Sequence, residues 1–243
     1  MTGSSLEVEL KFLINKDYIA AFQGYLSTIC EPSETLQLAN IYFDTPEGVC
    51  HKNRMGLRIR RWNDQCEQTI KMSGKVSGEV SERPEYTTPC KQELPDLTLF
   101  PADIWPTDFV VNSINANLQE QFRTDFERQR WIFQADDLRV EVALDQGKVK
   151  AGGLVEPICE VEFELLAGDL QALASFVADV RQHVPLAPGT LSKAQRGYLL
   201  LEKALQRTEP LGSGIKSLGS GTKSLDAGNS SLGSGMLHNQ QSS

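Results

Sequence analysis

The first residues of the chain that could do chemistry are three charged side chains near its start. Glu7, Glu9 and Lys11 alternate with the apolar Val8 and Leu10. Successive side chains of a β-strand point to opposite faces, so the two carboxylates and the ammonium group share one face. Clustered carboxylates repel one another unless a hard divalent cation such as Mg²⁺ or Mn²⁺ joins them. The pattern therefore suggests a strand face that binds a metal ion.

The same alternation recurs in later segments, with charged residues on one face and apolar residues on the other. The signs are sorted by segment, since some faces carry arginine or lysine and others carry carboxylates. The residues that share such faces are Arg58 and Arg60, Lys71 with Thr69, Arg83 and Glu85, Arg139, Glu141 and Asp145, and Glu160, Glu162 and Glu164.

Two interpretations of these faces are open. In the first, each charged face is the solvated side of a sheet. In the second, the apolar faces point outward under helices and the charged faces line the interior of a barrel. Buried charge must be paired or bound to a ligand of opposite sign, and arginine suits phosphate oxygens. The sorting of signs favours the second interpretation, in which the interior holds a metal-bound polyphosphate.

Eight segments must position these residues, and each has the alternating or β-branched pattern of a strand. They cover residues 5–14, 35–44, 57–62, 66–73, 82–88, 122–134, 138–150 and 156–166. Helical spacing is predicted over 17–28, 169–183 and 192–205, with Asp169 in the first turn of the second helix. The sequence therefore predicts a mainly β (α+β) fold, an eight-stranded antiparallel closed barrel with flanking helices.

Composition narrows the classes of function. A net charge of −8 argues against a broad nucleic-acid-binding face, and no apolar run is long enough to span a bilayer. The five scattered cysteines include no C-x-x-C pair, which favours a reducing, cytoplasmic setting. No G-x-S-x-G or H-E-x-x-H motif occurs. His51, His183 and His238 are expected at the surface, and the three tryptophans are expected to pack.

The last part of the chain differs in composition. From Leu211 it reads as four seven-residue units, LGSGIKS, LGSGTKS, LDAGNSS and LGSGMLH. One leucine per unit, with glycine in every unit, cannot build a core or a coiled-coil seam. The sequence predicts a domain over residues 1–207 and a flexible tail over residues 208–243.

The order of the segments resembles the CYTH domain family, also called triphosphate tunnel metalloenzymes, over residues 5–204. The matching segments are EVELKF, NIYFDTPEG, GLRIRRW, TIK, ERPEYT, FERQRW, EVALDQGKVKAG, ICEVEFEL and SKAQRGY. The combination is most similar to the bacterial inorganic triphosphatases of this family. Many of those carry a C-terminal histidine-rich CHAD domain, and the glycine-rich tail stands in its place here.

The resemblance implies a tunnel that binds triphosphate together with Mg²⁺ or Mn²⁺. The implied metal ligands are Glu7, Glu9, Glu160 and Glu162, with Asp145 nearby. The implied phosphate-binding residues are Lys11, Arg58, Arg60, Lys71, Arg83, Glu85, Arg128, Lys193 and Arg196. Arg130, Glu141 and Glu164 lie on compatible faces. For Lys193 and Arg196, an ordinary solvated helix face is the alternative.

The expected activity is hydrolysis of inorganic triphosphate to diphosphate and phosphate, by in-line attack of water on the terminal phosphorus. The residues expected to carry the chemistry are Glu7, Glu9, Lys11, Glu160 and Glu162. Without metal, the four glutamates are expected to repel one another.

Other chemistry on the same fold is the first alternative: class IV-type adenylate cyclase, thiamine triphosphatase or nucleoside triphosphatase. A nucleoside substrate needs a base pocket, and no aromatic pair is clearly placed to supply one. A non-catalytic polyphosphate-binding module is the second alternative. The expected partner is a triphosphorylated small molecule, with no nucleic acid and no membrane, and the oligomeric state is left open.

Overall fold

The computed structural model describes residues 3–31 and 34–208, and the predicted tail beyond Thr208 lies outside them. The strands are β1 (Gly3–Ile14), β2 (Glu34–Asp44), β3 (Gly56–Trp62), β4 (Gln65–Lys71), β5 (Lys75–Ser77), β6 (Val80–Pro89), β7 (Gln119–Ala135), β8 (Leu138–Ala151), β9 (Leu154–Ala167) and β10 (Leu186–Pro188). The helices are α1 (Ile19–Ile29), α2 (Val49–Lys52), α3 (Val111–Ala116), α4 (Leu170–His183) and α5 (Lys193–Thr208), with 3₁₀ turns at Lys16–Tyr18, Leu97–Leu99 and Ala102–Ile104.

Eight of these strands form a closed antiparallel barrel, which confirms the predicted fold class. Their order is β1-β9-β8-β7-β2-β3-β4-β6, and β6 pairs with β1 to close the barrel. Strand β1 makes both closing contacts, because Glu7 pairs with Arg83 on β6 and Glu9 pairs with Glu164 on β9. The short strands β5 and β10 extend the sheet beside β6 and β1.

The predicted strands and helices are all present, with ends that differ by a few residues. The sequence analysis missed β5, β10, α2 and α3, because each is too short to show a hydrophobic period. Helix α4 begins where predicted, since the Asp169 carboxylate accepts a hydrogen bond from the Ala172 N–H at 2.8 Å. Within the described ranges, no helix is both long and apolar enough to cross a membrane.

The apolar faces of the strands point outward and pack under helices. On one side, Trp131, Val142 and Phe163 pack with Phe22 of α1 and Phe176 of α4. On another side, the outer faces of β3 and β4 pack with α3 and with the segment that precedes it. The alternate, charged positions therefore point into the barrel. The interior interpretation is confirmed, and the solvated-face interpretation is wrong.

Helix α5 packs against apolar side chains inside the barrel. Its Tyr198 and Leu200 belong to one cluster with Phe122 and Phe126 of β7. Gly197 permits this approach, because a Cβ atom at that position would lie 2.1 Å from the Phe122 ring. The barrel interior is therefore divided between an apolar part beside α5 and a charged cavity.

Candidate active site

A cavity of about 1030 Å³ lies inside the barrel, and most of its predicted lining is present. The predicted site residues that line it are Glu7, Glu9, Lys11, Arg58, Arg60, Lys71, Arg83, Glu85, Arg128, Glu162 and Lys193. Arg130, Glu141 and Glu164 line it as well. Asp145 and Glu160 are fully buried and contact the cavity-lining Lys193.

Arg58 and Arg60 form a wall with too few carboxylates to match their charge. Arg58 is buried, and its Nε has no hydrogen-bond partner in the part of the chain that the structure describes. Arg60 Nε donates to Asn40 at 2.9 Å, but the ion pair of Arg60 with Glu67 is long, at 3.8 Å. Burial, together with the charges of Arg58 and Arg128, lowers the pKa of Arg60 to about 10. An anion would neutralise this wall.

Lys71 lies between two carboxylates from neighbouring strands. Its Nζ donates to Glu7 at 2.6 Å and lies 3.0 Å from Glu85. Burial lowers the pKa of Lys71, but these carboxylates outweigh it and raise the pKa above its ordinary value. Burial likewise raises the pKa of Glu85, but Lys71 and the nearby arginines hold it at about 2. Lys71 and Glu85 are therefore both charged at neutral pH.

Asp145, Glu160 and Glu162 form an inner carboxylate cluster, with ligand oxygens within 4.8 Å of one another. The Nζ of Lys193 lies 2.6 Å from Asp145, 2.6 Å from Glu160 and 2.8 Å from Glu162. Arg128 donates to both oxygens of Asp145 at 2.7 Å. The ammonium group thus stands where a bound cation would be held, and the protein itself balances the charge of this cluster.

A capping box places Lys193 at the start of α5. The Gln195 N–H donates to Ser192 Oγ at 3.2 Å, and the Ser192 N–H donates to Gln195 Oε1 at 2.8 Å. The neighbouring Leu191 carbonyl accepts a hydrogen bond from Lys11 Nζ. The SKAQ motif thus fixes the helix end that carries Lys193 against β1.

Glu9, Glu164 and Glu141 form a second group, called here the glutamate row, on three adjacent strands. In the strand register Glu164 lies opposite both Glu9 and Glu141. Burial and Glu162 raise the pKa of Glu9 to about 7, and burial and Glu7 raise the pKa of Glu164 to about 7. Like charges directly opposite one another destabilise a sheet. Arg130 lies 3.4 Å from Glu141, so the poorly compensated carboxylates of the row are Glu9 and Glu164, and their oxygen donors suit a divalent metal.

The repulsion expected among the four glutamates is therefore wrong for Glu162. Burial raises the pKa of Glu162, but Lys193 and Arg128 outweigh it and hold the pKa well below its ordinary value. The repulsion falls instead on Glu9 and on Glu164, which the sequence placed only on a compatible face.

Arg196 does not line the cavity. Its guanidinium donates to Glu156 at 2.7 Å, to Glu160 at 3.1 Å, and to the Pro157 carbonyl. The structure thus places Arg196 behind the inner carboxylate cluster, where it joins α5 to β9. The three-residue spacing correctly predicted that Lys193 and Arg196 share one side of the helix. It did not show that only Lys193 reaches the cavity.

Four aromatic side chains line the cavity that the sequence analysis did not assign to it: Tyr42, His51, Trp62 and Tyr198. Trp62 also contacts the interior apolar cluster, so packing describes only part of its environment. The rings of His51 and Tyr198 lie 4.0 Å apart, an aromatic pair that the sequence analysis did not find. Strand alternation could have identified Trp62, because it shares a face with Arg58 and Arg60 of GLRIRRW.

Buried Asp44 holds this aromatic pair in place. Its carboxylate accepts hydrogen bonds from the N–H groups of Cys50 and His51, at 2.7 and 2.9 Å, and from the Tyr198 hydroxyl at 2.9 Å. Asp44 therefore ties α2 to α5. The sequence analysis placed this aspartate only at the end of the predicted strand 35–44.

Comparison with known proteins agrees with this geometry. The CYTH domain model matches residues 5–198. The chain is 37% identical over 199 residues to the inorganic triphosphatase of Haemophilus influenzae, covering 81% of this chain and 55% of that protein. The chain thus spans about half the length of this relative.

Solved structures with the same fold include a putative adenylyl cyclase from Hippeastrum, described as having a dominant triphosphatase activity. It has a TM-score of 0.60 and 17% identity, covering 81% of this chain and 95% of that chain. A putative adenylate cyclase from Bacillus halodurans has a TM-score of 0.51 and 21% identity, covering 80% of this chain and 98% of that chain. The family model covers most of the sequence, and the charged barrel cavity and the solved structures with the same fold agree with it. The chain belongs to the CYTH domain family.

Proposed function

We propose that this protein hydrolyses inorganic triphosphate to diphosphate and phosphate with the help of Mg²⁺ or Mn²⁺. One observation carries the proposal: the cavity has two unbalanced walls. Among the described residues, Arg58 Nε has no hydrogen-bond partner, and the only ion pair of Arg60, with Glu67, is long. Burial and neighbouring carboxylates raise the pKa of Glu9 and of Glu164. A metal-bound polyphosphate supplies both charges at once. The name of the H. influenzae relative supports inorganic triphosphate as the substrate.

The glutamate row, with Glu7 and Glu162 beside it, would hold the metal. A divalent cation there would polarise the terminal phosphate and offset its developing charge. Asp145 and Glu160 already share Lys193, so they would join the metal only if that ammonium group moved away. The predicted ligands Glu160 and Asp145 are therefore a less direct fit than Glu9.

The cationic residues would hold the substrate and stabilise the transferred phosphoryl group. The unpartnered Nε of Arg58 can donate to a phosphate oxygen, and Arg60 can add a charge-assisted hydrogen bond. Lys11 and Lys71 lie at the same cavity surface. A carboxylate of the glutamate row would orient the attacking water and accept its proton.

A phosphate-release assay tests the proposal. Tripolyphosphate, ATP and thiamine triphosphate are compared with Mg²⁺, with Mn²⁺ and with a chelator. We expect metal-dependent phosphate release, with kcat/KM highest on tripolyphosphate. A higher kcat/KM on ATP or thiamine triphosphate would favour the corresponding alternative. Tight tripolyphosphate binding without release would instead identify a binding module.

We also propose a reducing, cytoplasmic setting. All five cysteines lie within the described residues and none forms a disulfide. An export assay with a reporter fused to the chain would test this location. Recovery of the fusion outside the cytoplasm would contradict it.

A further inference from the structure

Two of the cysteines become neighbours only when the barrel folds. Cys66 lies in β4, and Cys90 directly follows β6, which pairs antiparallel with β4 and sets Glu67 opposite Pro89. The Cys90 N–H donates to the Cys66 carbonyl at 3.0 Å, so the register continues and the two cysteines lie opposite each other. Residues at such a hydrogen-bonded position have Cα atoms about 5.5 Å apart. This separation lies within the range that a disulfide spans.

The two thiols lie on the outer face of the barrel. Glu67, the next residue after Cys66, lines the cavity, so Cys66 points the other way. Both cysteines pack in the apolar cluster outside β3 and β4. Burial raises the pKa of the Cys66 thiol, and the Cys90 thiol, which is hydrogen-bonded to it, raises that pKa further. The two sulfur atoms are therefore already neighbours in the reduced protein.

The two cysteines differ in exposure. Cys66 is half-buried, whereas Cys90 is buried and its thiol donates to the Gln92 carbonyl at 3.2 Å. An oxidant in solution therefore reaches Cys66 first. Cys159 is half-buried as well, but the residue opposite it on β8 is Gln146. Cys159 thus offers a matched comparison, a thiol of similar exposure without a cysteine across the strand pair.

We infer that Cys66 and Cys90 form a reversible disulfide when the protein meets a small disulfide oxidant such as oxidised glutathione. The Cys66 thiolate attacks one sulfur of the oxidant, which forms a mixed disulfide and releases one glutathione thiolate. The Cys90 thiolate then attacks the Cys66 sulfur and releases the second glutathione thiolate. Two protein thiols are oxidised, the oxidant is reduced to two thiols, and the two protons pass to the released glutathione.

The disulfide would close a loop that carries Lys71, Arg83 and Glu85. A cross-link of this kind stabilises a protein mainly because it restricts the unfolded chain. In a reducing compartment the pair remains two thiols, and the cross-link forms when the surroundings become oxidising. The inference concerns the outer face of the barrel and does not depend on the proposed function.

Peptide mapping of the full chain tests the pair directly. Cleavage after lysine and arginine places Cys66 in the peptide 62–71 and Cys90 in the peptide 76–91, each with a single cysteine. The protein is incubated with oxidised glutathione at about pH 8.5, because the thiolate is the attacking form. We expect mass spectrometry to find the two peptides joined, and dithiothreitol to separate them. Unreacted thiols, persistent glutathione adducts on both cysteines, or a disulfide between other cysteines would overturn the inference.

The melting temperature gives a second measurement. The oxidised wild type should melt about 5 °C or more above the reduced protein, as expected for a cross-link that closes a loop of this length. Cys66→Ser should abolish this increase, and the control Cys159→Ser should retain it. No increase in the wild type, or an equal increase in Cys66→Ser, would overturn the stabilising cross-link.

Discussion

The ammonium group of Lys193 lies 2.6 Å from the carboxylate of fully buried Glu160. Asp145 and Glu162 surround the same Nζ atom at 2.6 and 2.8 Å. A cation from the first residue of α5 therefore compensates carboxylates from β8 and β9. This ion cluster ties helix α5 to strands β8 and β9 of the barrel.

Lys193→Met should destabilise the metal-free protein by about 3 kcal/mol or more, because it leaves buried carboxylates without a partner. Lys203→Met, at an exposed position of the same helix, serves as the matched control and should have little effect. Chemical denaturation in the presence of a chelator measures the free energy of unfolding of both variants. Equal stability of the two variants would contradict the structural role of Lys193.

Glu162→Gln and Glu164→Gln should change metal-free stability in opposite directions. Lys193 and Arg128 hold Glu162 ionised, so Glu162→Gln should lower the free energy of unfolding by about 1–3 kcal/mol. Glu164 faces other carboxylates, so neutralising it should raise stability by about 1 kcal/mol at pH 8. Turnover of tripolyphosphate should fall in both variants. Thermal melts in the presence of a chelator measure the melting temperature of each variant. Changes of the same sign in both variants would contradict the different roles of Glu162 and Glu164.

The metal-free protein should lose stability as the pH rises from about 5 to 8. The folded-state pKa values of Glu9 and Glu164, each about 7, exceed the ordinary 4.5. These groups therefore favour the folded state below pH 4.5, and that contribution is lost as the pH rises through 7. The difference in melting temperature between wild type and Glu164→Gln should appear above pH 7 and shrink at pH 5. A constant difference across this range would contradict the raised pKa.

Arg60→Gln should weaken catalysis without weakening the fold. Its positive charge is poorly compensated, so its removal should leave metal-free stability unchanged or higher. The loss of a charged hydrogen bond to phosphate should lower kcat/KM on tripolyphosphate about 10- to 100-fold. Arg128→Gln is the contrasting variant. Arg128 pairs with buried Asp145, so this substitution should lower stability as well as catalysis. A large loss of stability in Arg60→Gln would assign it a structural role.

Ending the chain after Arg207 should leave activity and melting temperature unchanged. The glycine-rich units carry too few apolar residues to offset the entropy of ordering them. Only the last residue of α5 is lost within the described part of the chain. A fall of several degrees in melting temperature would show that the tail docks on the domain.

The barrel and most of its lining could be predicted from the sequence, because residue alternation fixes which side chains share a face. Alternation does not show which face is inside, and the sorting of signs supplied that information. Alternation also cannot reveal partners across the barrel. Lys193 was expected at phosphate but lies among carboxylates, and Arg196 lies behind them.

The glutamate row shows the same limit. Glu164 follows Glu160 and Glu162 with the correct spacing, but only the register with β1 shows that it faces Glu9. Trp62 had the correct alternation and was assigned to packing because tryptophan is most often found there. The contacts of Asp44 depend on a residue of α5 far along the chain, which no local pattern indicates.

The pairing of β1 with β9 has a consequence for how the chain folds. Strands β7, β8 and β9 follow one another as neighbours, and most of β2 to β6 does so too, but β1 must wait for β9 before the barrel can close. Contacts between residues so distant in sequence form slowly, because the loop entropy is lost before the contact is gained. During synthesis, β1 therefore has an unpaired edge until β9 has left the ribosome, and we expect Glu9 to become ordered against Glu164 late in folding.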